Sequence, residues 1–350
     1  MAMLSCTPNV LRQFRYCHGI SLVELIVSIT LSLLVLLIAM GLIFSIKSSF
    51  LTQLDSTDTN ETARFALDNI SRSIRQAGYM NYDFNNSPQV VPSTASADMN
   101  GLDANSLSAT SSDLSSPLGI SVNYSDVLAI RYFGSGVSTS GDGTISNCAG
   151  FSVPAPTSSD TAAQDRGWSI YYVAYNRNKE PELFCKYQSV NSKNGSMSWN
   201  AQAIVKGVES FQVLYGVDTS NPFTGHATKF LNASAINALD AGLSLVGDSD
   251  AEKKADFNRK TFWKKVTEIK LALLIAGSEN TRMDSATNIY NLFGEEYAAL
   301  ASAFDKGTTI TEKDIPQERR RRLRKLYTTT VVLRNSCNVD AIRGTCLAPN

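Results

Sequence analysis

Residues 20–44 read ISLVELIVSITLSLLVLLIAMGLIF, a run of 25 residues with a single charge, at Glu24. A helix of this length rises about 37 Å, at about 1.5 Å per residue, and the hydrocarbon core of a bilayer is about 30 Å thick. The longest later apolar stretch, residues 271–277, is far too short to span it. The sequence therefore predicts either a single-pass membrane protein or a secreted chain with an N-terminal signal.

The flanks of this segment favour the membrane anchor. An ordinary secretory signal has an apolar core of about 7–15 residues that ends at a small-x-small cleavage site, and this segment is longer and lacks such a site. The preceding flank holds Arg12, Arg15 and His18 and no acid. By the positive-inside rule this end stays in the cytoplasm. We therefore expect a single-pass membrane protein whose remaining residues lie in a periplasm-like space.

The composition excludes several classes of protein. The chain has 350 residues, with 32 Lys plus Arg against 32 Asp plus Glu and 43% apolar residues. The charge balance argues against a strongly basic nucleic-acid binder, and the apolar content argues against general disorder. The sequence also lacks a phosphate-binding Gly-Lys-Ser/Thr loop, a His-Glu-x-x-His motif and a Cys-x-x-Cys pair. We expect no enzymatic activity, no cofactor and no metal site.

The cysteines divide at the apolar segment. Cys6 and Cys17 precede it, and four follow it: Cys148, Cys185, Cys337 and Cys346. Four cysteines allow three pairings. We favour Cys337 with Cys346, which closes a short loop, and Cys148 with Cys185. Four free thiols are the alternative, which an oxidising compartment disfavours.

Glu24 is the unusual residue of the apolar segment. A carboxylate inside a membrane helix costs about 2.5 kcal/mol or more, so such a residue marks a functional site by default. The alternative is a carboxylate near the interface that reaches the lipid headgroups. If the chain were cut after Gly19, Ile20 would carry an α-amine with a reference pKa of about 7.7–8.0. That amine and Glu24 could neutralise each other within one helix or between neighbouring subunits.

The block GISLVEL, residues 19–25, follows a short basic leader and opens the apolar helix. It resembles the class III signal of type IV prepilins. The resemblance implies that a prepilin peptidase cuts after Gly19 on the cytoplasmic face and N-methylates Ile20. It also implies that Glu24 guides insertion of the subunit into the growing filament. Ile20 replaces the usual Phe but remains apolar.

Four later segments resemble PilW-type minor pilins: residues 64–79, 208–218, 266–274 and 330–335. The resemblance implies a structural subunit that helps to initiate and assemble type IV pili, with roles in twitching motility, adhesion or DNA uptake. The implied partners are other minor pilins, the major pilin, the prepilin peptidase, the inner-membrane assembly platform and, before assembly, membrane lipid.

Two other functions remain open from the sequence. A type II secretion pseudopilin shares the leader, the Glu and the fold. An ordinary anchored receptor or enzyme would instead retain residues 1–19.

The chain after the membrane segment continues as a helix. Apolar residues recur at helical spacing at Ala63, Leu67, Ile70, Ile74 and Ala77. No proline lies between residues 20 and 79, and the glycine at position 78 suits a C-terminal cap. We therefore predict a leader at 1–19, a helix at 20–79 and a globular domain at 80–350. Poor helix formers at 52–62 leave a break possible there.

The globular domain carries strand patterns separated by turn residues. We predict strands at 127–133, 168–175, 183–188, 210–217, 266–276 and 326–334. We predict helices from the capping box at Ser249 to about Trp263 and over 289–304, and surface loops over most of 85–166. The predicted fold is α+β and pilin-like, a long N-terminal hydrophobic α-helix packed on the antiparallel β-sheet of a globular domain.

A basic run lies near the C-terminus, at Arg319, Arg320, Arg321, Arg322, Arg324 and Lys325. Such a run contacts DNA phosphates in some proteins. Three acidic residues before the run weaken its positive electrostatic potential, and no aromatic residue lies within the run. We favour a solvated segment or a salt-bridged subunit contact over DNA binding.

Overall fold

A computed structural model of the chain describes residues 21–80, 92–119, 121–137, 140–156, 158, 162–190, 197–279, 281–282, 287–301, 303–335, 338–339 and 346–347. The chain forms two compact units, one up to Leu51 and one from Thr52 onward. The boundary between them lies within the first helix.

The helices are one very long element and several short ones. They are α1 (Leu22–Gln76), α2 (Ala162–Asp165), α3 (Ala233–Ala241), α4 (Asp250–Lys260) and α5 (Glu295–Ala301). Short 3₁₀ turns lie at Val122–Tyr124, Phe262–Lys265, Glu312–Asp314 and Gln317–Arg319. The expected capping box opens α4, because the Glu252 N–H donates to the Ser249 side chain and the Ser249 N–H donates to the Glu252 side chain.

The strands belong to the second unit. They are β1 (Met99–Leu102), β2 (Val127–Tyr132), β3 (Gly136–Val137), β4 (Ser140–Gly141), β5 (Gly167–Tyr175), β6 (Pro181–Val190), β7 (Met197–Lys206), β8 (Val208–Val217), β9 (Lys229–Leu231), β10 (Val266–Ala276), β11 (Ile289–Asn291), β12 (Thr309–Thr311), β13 (Arg324–Val332), β14 (Asn338–Val339) and β15 (Cys346–Leu347).

Two main sheets form the domain, and every strand pair in the described residues is antiparallel. A five-stranded sheet has the order β1-β2-β5-β6-β7, and a four-stranded sheet has the order β13-β10-β8-β9. Together with α1 they confirm the α+β arrangement of a long apolar helix and antiparallel sheets.

The core lies between both sheets and the second half of α1. The apolar face of α1 is buried at Ala63, Ile70, Ile74 and Ala77, and Leu67 packs against the same core. Small alanines let the helix approach the sheets closely.

Hydrogen bonds add to this packing of α1. The Tyr171 hydroxyl on β5 donates to Asn69 Oδ1 at 2.7 Å and lies 2.7 Å from Ser73 Oγ. All three groups are polar side chains beside the apolar face of the helix. These contacts fix α1 on the five-stranded sheet.

The C-terminal end of α1 is capped by a residue from far along the chain. Gly78 follows the helix at φ +66°, a left-handed conformation that glycine adopts readily. The Asn335 amide donates to the carbonyl oxygens of Arg75 and Ala77, at 3.0 and 3.1 Å. A residue just after β13 thus satisfies carbonyls that a helix end leaves unpaired.

The helix does not break at residues 52–62. Its hydroxyl side chains there donate to carbonyls of the preceding turn, as Thr57 Oγ1 does to Gln53 O and Thr59 Oγ1 to Asp55 O. Asp55 is buried and its Oδ1 accepts from the Ser278 N–H at 2.6 Å. Tertiary contacts therefore outweigh the weak helix propensity of this segment.

The single helix predicted over residues 289–304 is wrong. The segment contains β11, a turn at Gly294 with φ +95°, and then α5. β11 pairs with β12, and Leu292, Phe293 and Ile310 form a second apolar cluster with residues of the four-stranded sheet. The loop region predicted over 85–166 likewise contains β1, β3, β4 and α2 in addition to β2.

We expect Gly78→Ala to destabilise the domain more than Gly150→Ala does. Both glycines have a left-handed backbone, at φ +66° and +87°, so both variants lose about 1–2 kcal/mol from backbone strain. Only at Gly78 would the new Cβ also meet close neighbours, the Asn335 carbonyl oxygen at 3.0 Å and Asp98 Oδ2 at 3.1 Å. Thermal unfolding followed by near-UV circular dichroism measures the difference, and equal losses would contradict close packing around the helix end.

Candidate functional site

The first half of α1 is apolar and exposed. Its large apolar side chains from Leu22 to Leu54 are 45–74% exposed. None of its most apolar window of 18 residues is buried. Among the described residues, α1 is the one helix long and apolar enough to cross a membrane. Such a surface requires lipid or other apolar helices around it.

The hydroxyl side chains within this half bond to their own helix. Those of Ser28, Thr30 and Ser32 donate to carbonyls three or four residues earlier, at 2.7–2.9 Å. They therefore cost little in an apolar medium. Glu24 differs, because no residue in the described part of the chain forms an ion pair with its carboxylate.

Glu24 lies in the first turn of α1, where its backbone N–H donates to Ser21 Oγ at 3.2 Å. The Leu25 N–H donates to the Ser21 carbonyl oxygen at 3.1 Å. Ser21 thus caps the helix in the usual Ser-x-x-Glu spacing, and a carboxylate is favoured near this positive end. Gly19 and Ile20, the predicted cleavage and methylation residues, lie outside the described residues.

The disulfide Cys148–Cys185 is present, with a Cα–Cα distance of 5.8 Å. It joins the loop after β4 to β6, and both cysteines are buried. This pair is one of the two that the sequence favours. The other, Cys337 with Cys346, involves a residue outside the described part of the chain and stays a prediction.

The basic run does not form one charged surface. Arg319, Arg322 and Arg324 are buried, whereas Arg320 and Arg321 are exposed. Lys325 turns to α1 and donates to Ser56 Oγ at 2.5 Å. The run is therefore divided between buried and exposed side chains around the start of β13.

Arg322 and Arg324 form close ion pairs within the chain. Arg324 Nε donates to Glu209 Oε2 at 2.6 Å, and both side chains are fully buried. Arg322 binds Glu180 with two hydrogen bonds of 2.7 and 2.8 Å. These hydrogen bonds lower the pKa of the Glu180 carboxyl. The sequence gives no signal for either pair, since the partners are separated by 115 and 142 residues.

The four segments that resemble pilins come together in the fold. Residues 208–218, 266–274 and 330–335 lie on or beside β8, β10 and β13, which are neighbours in the four-stranded sheet. Residues 64–79 include the end of α1, which Asn335 of the last segment caps. Weak patches that are distant in sequence thus form one structural unit.

Part of the chain matches a known protein family. Residues 170–335 match the model of the family described as type IV pilus-assembly protein W. The matched segment runs from within β5 past the end of β13, and the exposed apolar helix fits a membrane-anchored protein of pilus assembly. The match covers 166 of the 350 residues and supports a PilW-type pilus protein. No curated protein and no solved structure matches it.

We expect the members of the basic run to differ in a stability test. Arg324→Gln should lower the free energy of unfolding by about 3–5 kcal/mol, because it removes the main partner of the fully buried Glu209 carboxylate. Arg321→Gln removes the same charge from an exposed position and should change the stability by less than about 0.5 kcal/mol. Denaturant unfolding of the purified chain measures both. Similar losses for the two variants would contradict an internal role for Arg324.

Proposed function

We propose that this protein is a minor pilin, cut after Gly19, N-methylated at Ile20 and incorporated into a type IV pilus, where it helps to initiate assembly. The single observation that carries the proposal is the exposed apolar half of α1 with the unpaired Glu24 carboxylate in its first turn. The match to a pilus-assembly family supports it and favours the pilus over the type II secretion pseudopilin.

The proposed architecture has three parts. A leader of residues 1–19 is removed. The segment of residues 20–79, which contains α1, lies with residues 20–44 first in the inner membrane and later in the filament core. A domain of residues 80–350 lies in the periplasm and then on the pilus. The change from lipid to filament keeps the apolar half of α1 in an apolar medium, so the transfer costs little hydrophobic free energy.

Glu24 gives this transfer its direction. Cleavage after Gly19 creates a cationic amine at Ile20, one helical turn before the carboxylate. A subunit that enters the filament gains stability when its carboxylate meets an amine, because an unpaired charge in an apolar medium is costly. The partners under this proposal are the prepilin peptidase, the assembly platform, the major pilin and other minor pilins, with twitching motility, adhesion or DNA uptake as the cellular outcome.

N-terminal mass spectrometry tests the processing step. The membrane-extracted protein should begin at Ile20 and carry one additional methyl group. An intact Met1, or a cut near residue 46, would refute the prepilin hypothesis.

A strain that lacks the protein should lose pili and motility but keep exoprotein release, and the opposite result would indicate the secretion pseudopilin.

Variants of Glu24 test the assembly step. Glu24→Ala and Glu24→Gln should still be processed after Gly19, but their amount in sheared pilus fractions should fall by about tenfold or more, as for the loss of one charge pair of about 1.4 kcal/mol. Ser28→Ala, one turn further along the same helix, removes only a hydroxyl that bonds to its own backbone and should leave incorporation unchanged. Normal incorporation of Glu24→Gln would remove the role that we give to the charge.

A further inference from the structure

A cavity of about 310 Å³ lies in the second unit, between α4 and residues of β1, β2 and β5. Its walls combine two cations, three aromatic rings and several side-chain amides. They include Arg131, Trp168, Asn237, Lys254, Phe257 and Trp263. The residues come from separate parts of the chain, and the pilus function proposed above uses none of them.

Arg131 is the central charge of this cavity. Its guanidinium lies over the Trp168 ring, 4.4 Å from the ring centroid. It donates to Ser96 Oγ at 3.0 Å and to the carbonyl oxygens of Ala163 and Gln164 at 3.2 Å. All of these acceptors are neutral, and the buried Nε has no hydrogen-bond partner among the described residues. A buried donor without a partner is costly, so this half-buried guanidinium gains stability from an anion beside its accessible part.

The nearby carboxylates form no direct ion pair with Arg131 among the described residues. Asp98 forms its ion pair with the buried Arg166 instead. Asp113 also lines the cavity, but its Oδ1 accepts from the Ser115 N–H at 2.7 Å, and no ion pair within the described ranges joins it to Arg131. Burial and the charge of Arg166 lower the pKa of Arg131 to about 9. The charges of Asp98 and Asp113 act in the opposite direction, so the protein compensates the positive charge of Arg131 only in part.

The other walls suit a ring with hydroxyl groups. The Asn237 Oδ1 accepts from Trp263 Nε1 at 2.9 Å, so the NH₂ group of this amide can donate elsewhere. Lys254 is exposed, and its ammonium lies 5.0 Å from the centre of the Phe257 ring. Aromatic faces, amide donors and cationic groups together recognise a polar ring that bears an anion. The volume lies at the lower end of the range of about 300–1,000 Å³ for small-molecule sites.

We propose that this cavity binds an acidic saccharide, with the sugar carboxylate toward Arg131 and Lys254 and the ring against Phe257 and Trp263. The cavity is too small for a folded partner or a nucleic-acid strand. The proposal does not depend on incorporation into a pilus, because binding is a property of the single chain.

The test uses the purified full-length chain in a zwitterionic detergent without a sugar headgroup. Isothermal titration calorimetry compares galacturonate with galactose, which has the same ring without the carboxylate. We expect galacturonate to bind at one site per chain and galactose to bind at least about tenfold more weakly, because a hydrogen bond to a charged group contributes more than one between neutral groups.

Two neighbouring lysines provide a matched pair of variants. Lys254→Gln should weaken galacturonate binding by about tenfold, because it removes one of the two cationic side chains that line the cavity. Lys253→Gln removes the same charge from the adjacent exposed residue of α4, which does not line the cavity, and should leave binding unchanged. Because both side chains are exposed, both variants should fold. Arg131→Lys, which keeps the charge but removes Nε, should also weaken binding.

Three results of these titrations would overturn the proposal. They are absence of galacturonate binding to the folded wild-type chain, equal binding by Lys254→Gln and Lys253→Gln, and equal binding of galactose. Inorganic sulfate and glucuronate are also compared as competitors of galacturonate. If both displace galacturonate at the same concentration, the cavity is a simple anion site, and recognition of the sugar ring is refuted.

Discussion

The structure depends on the contrast between the two halves of α1. In the first half the large apolar side chains are exposed, and in the second half one narrow face of alanines and isoleucines is buried against two sheets. Each buried isoleucine contributes about 1.5–3 kcal/mol. The same continuous helix therefore needs an apolar medium at its start and a folded domain at its end. This requirement explains why the domain carries side chains that bond specifically to the helix, such as Asn335 and Tyr171.

Local patterns in the sequence predict the parts of the fold that depend on local physics. The apolar run, the helical spacing from Ala63 to Ala77 and the Ser249–Glu252 capping box all appear in the structure where they are expected. Strands rich in buried apolar residues, such as β5 and β10, are also found. The prediction misses β7 because it is an edge strand with mostly exposed or half-buried residues, so it has no clear alternation.

Long-range pairs are not predictable from the sequence. Glu209 and Arg324 are separated by 115 residues, and nothing in the run of arginines shows which members turn inward. Asn335 caps the end of α1 only after the chain has folded back on itself, since it lies 258 residues beyond Ala77. The cavity around Arg131 has the same origin, because its walls come from β1, β2, β5, α3, α4 and the 3₁₀ turn after α4. Glu24, by contrast, can be identified from the sequence, because it is the single charged residue of a continuous apolar run.

The hydrogen bonds between the β13 segment and α1 also have a mechanical meaning. Lys325 and Tyr327 bond to Ser56 and Asn60, and Asn335 bonds to the end of the helix, so one segment is attached along several turns of α1. Tension along α1 is therefore shared among these bonds in parallel and passes into β13 and β10, where nine residue pairs carry it in shear. Separation of the domain from α1 therefore requires several of these hydrogen bonds to break together.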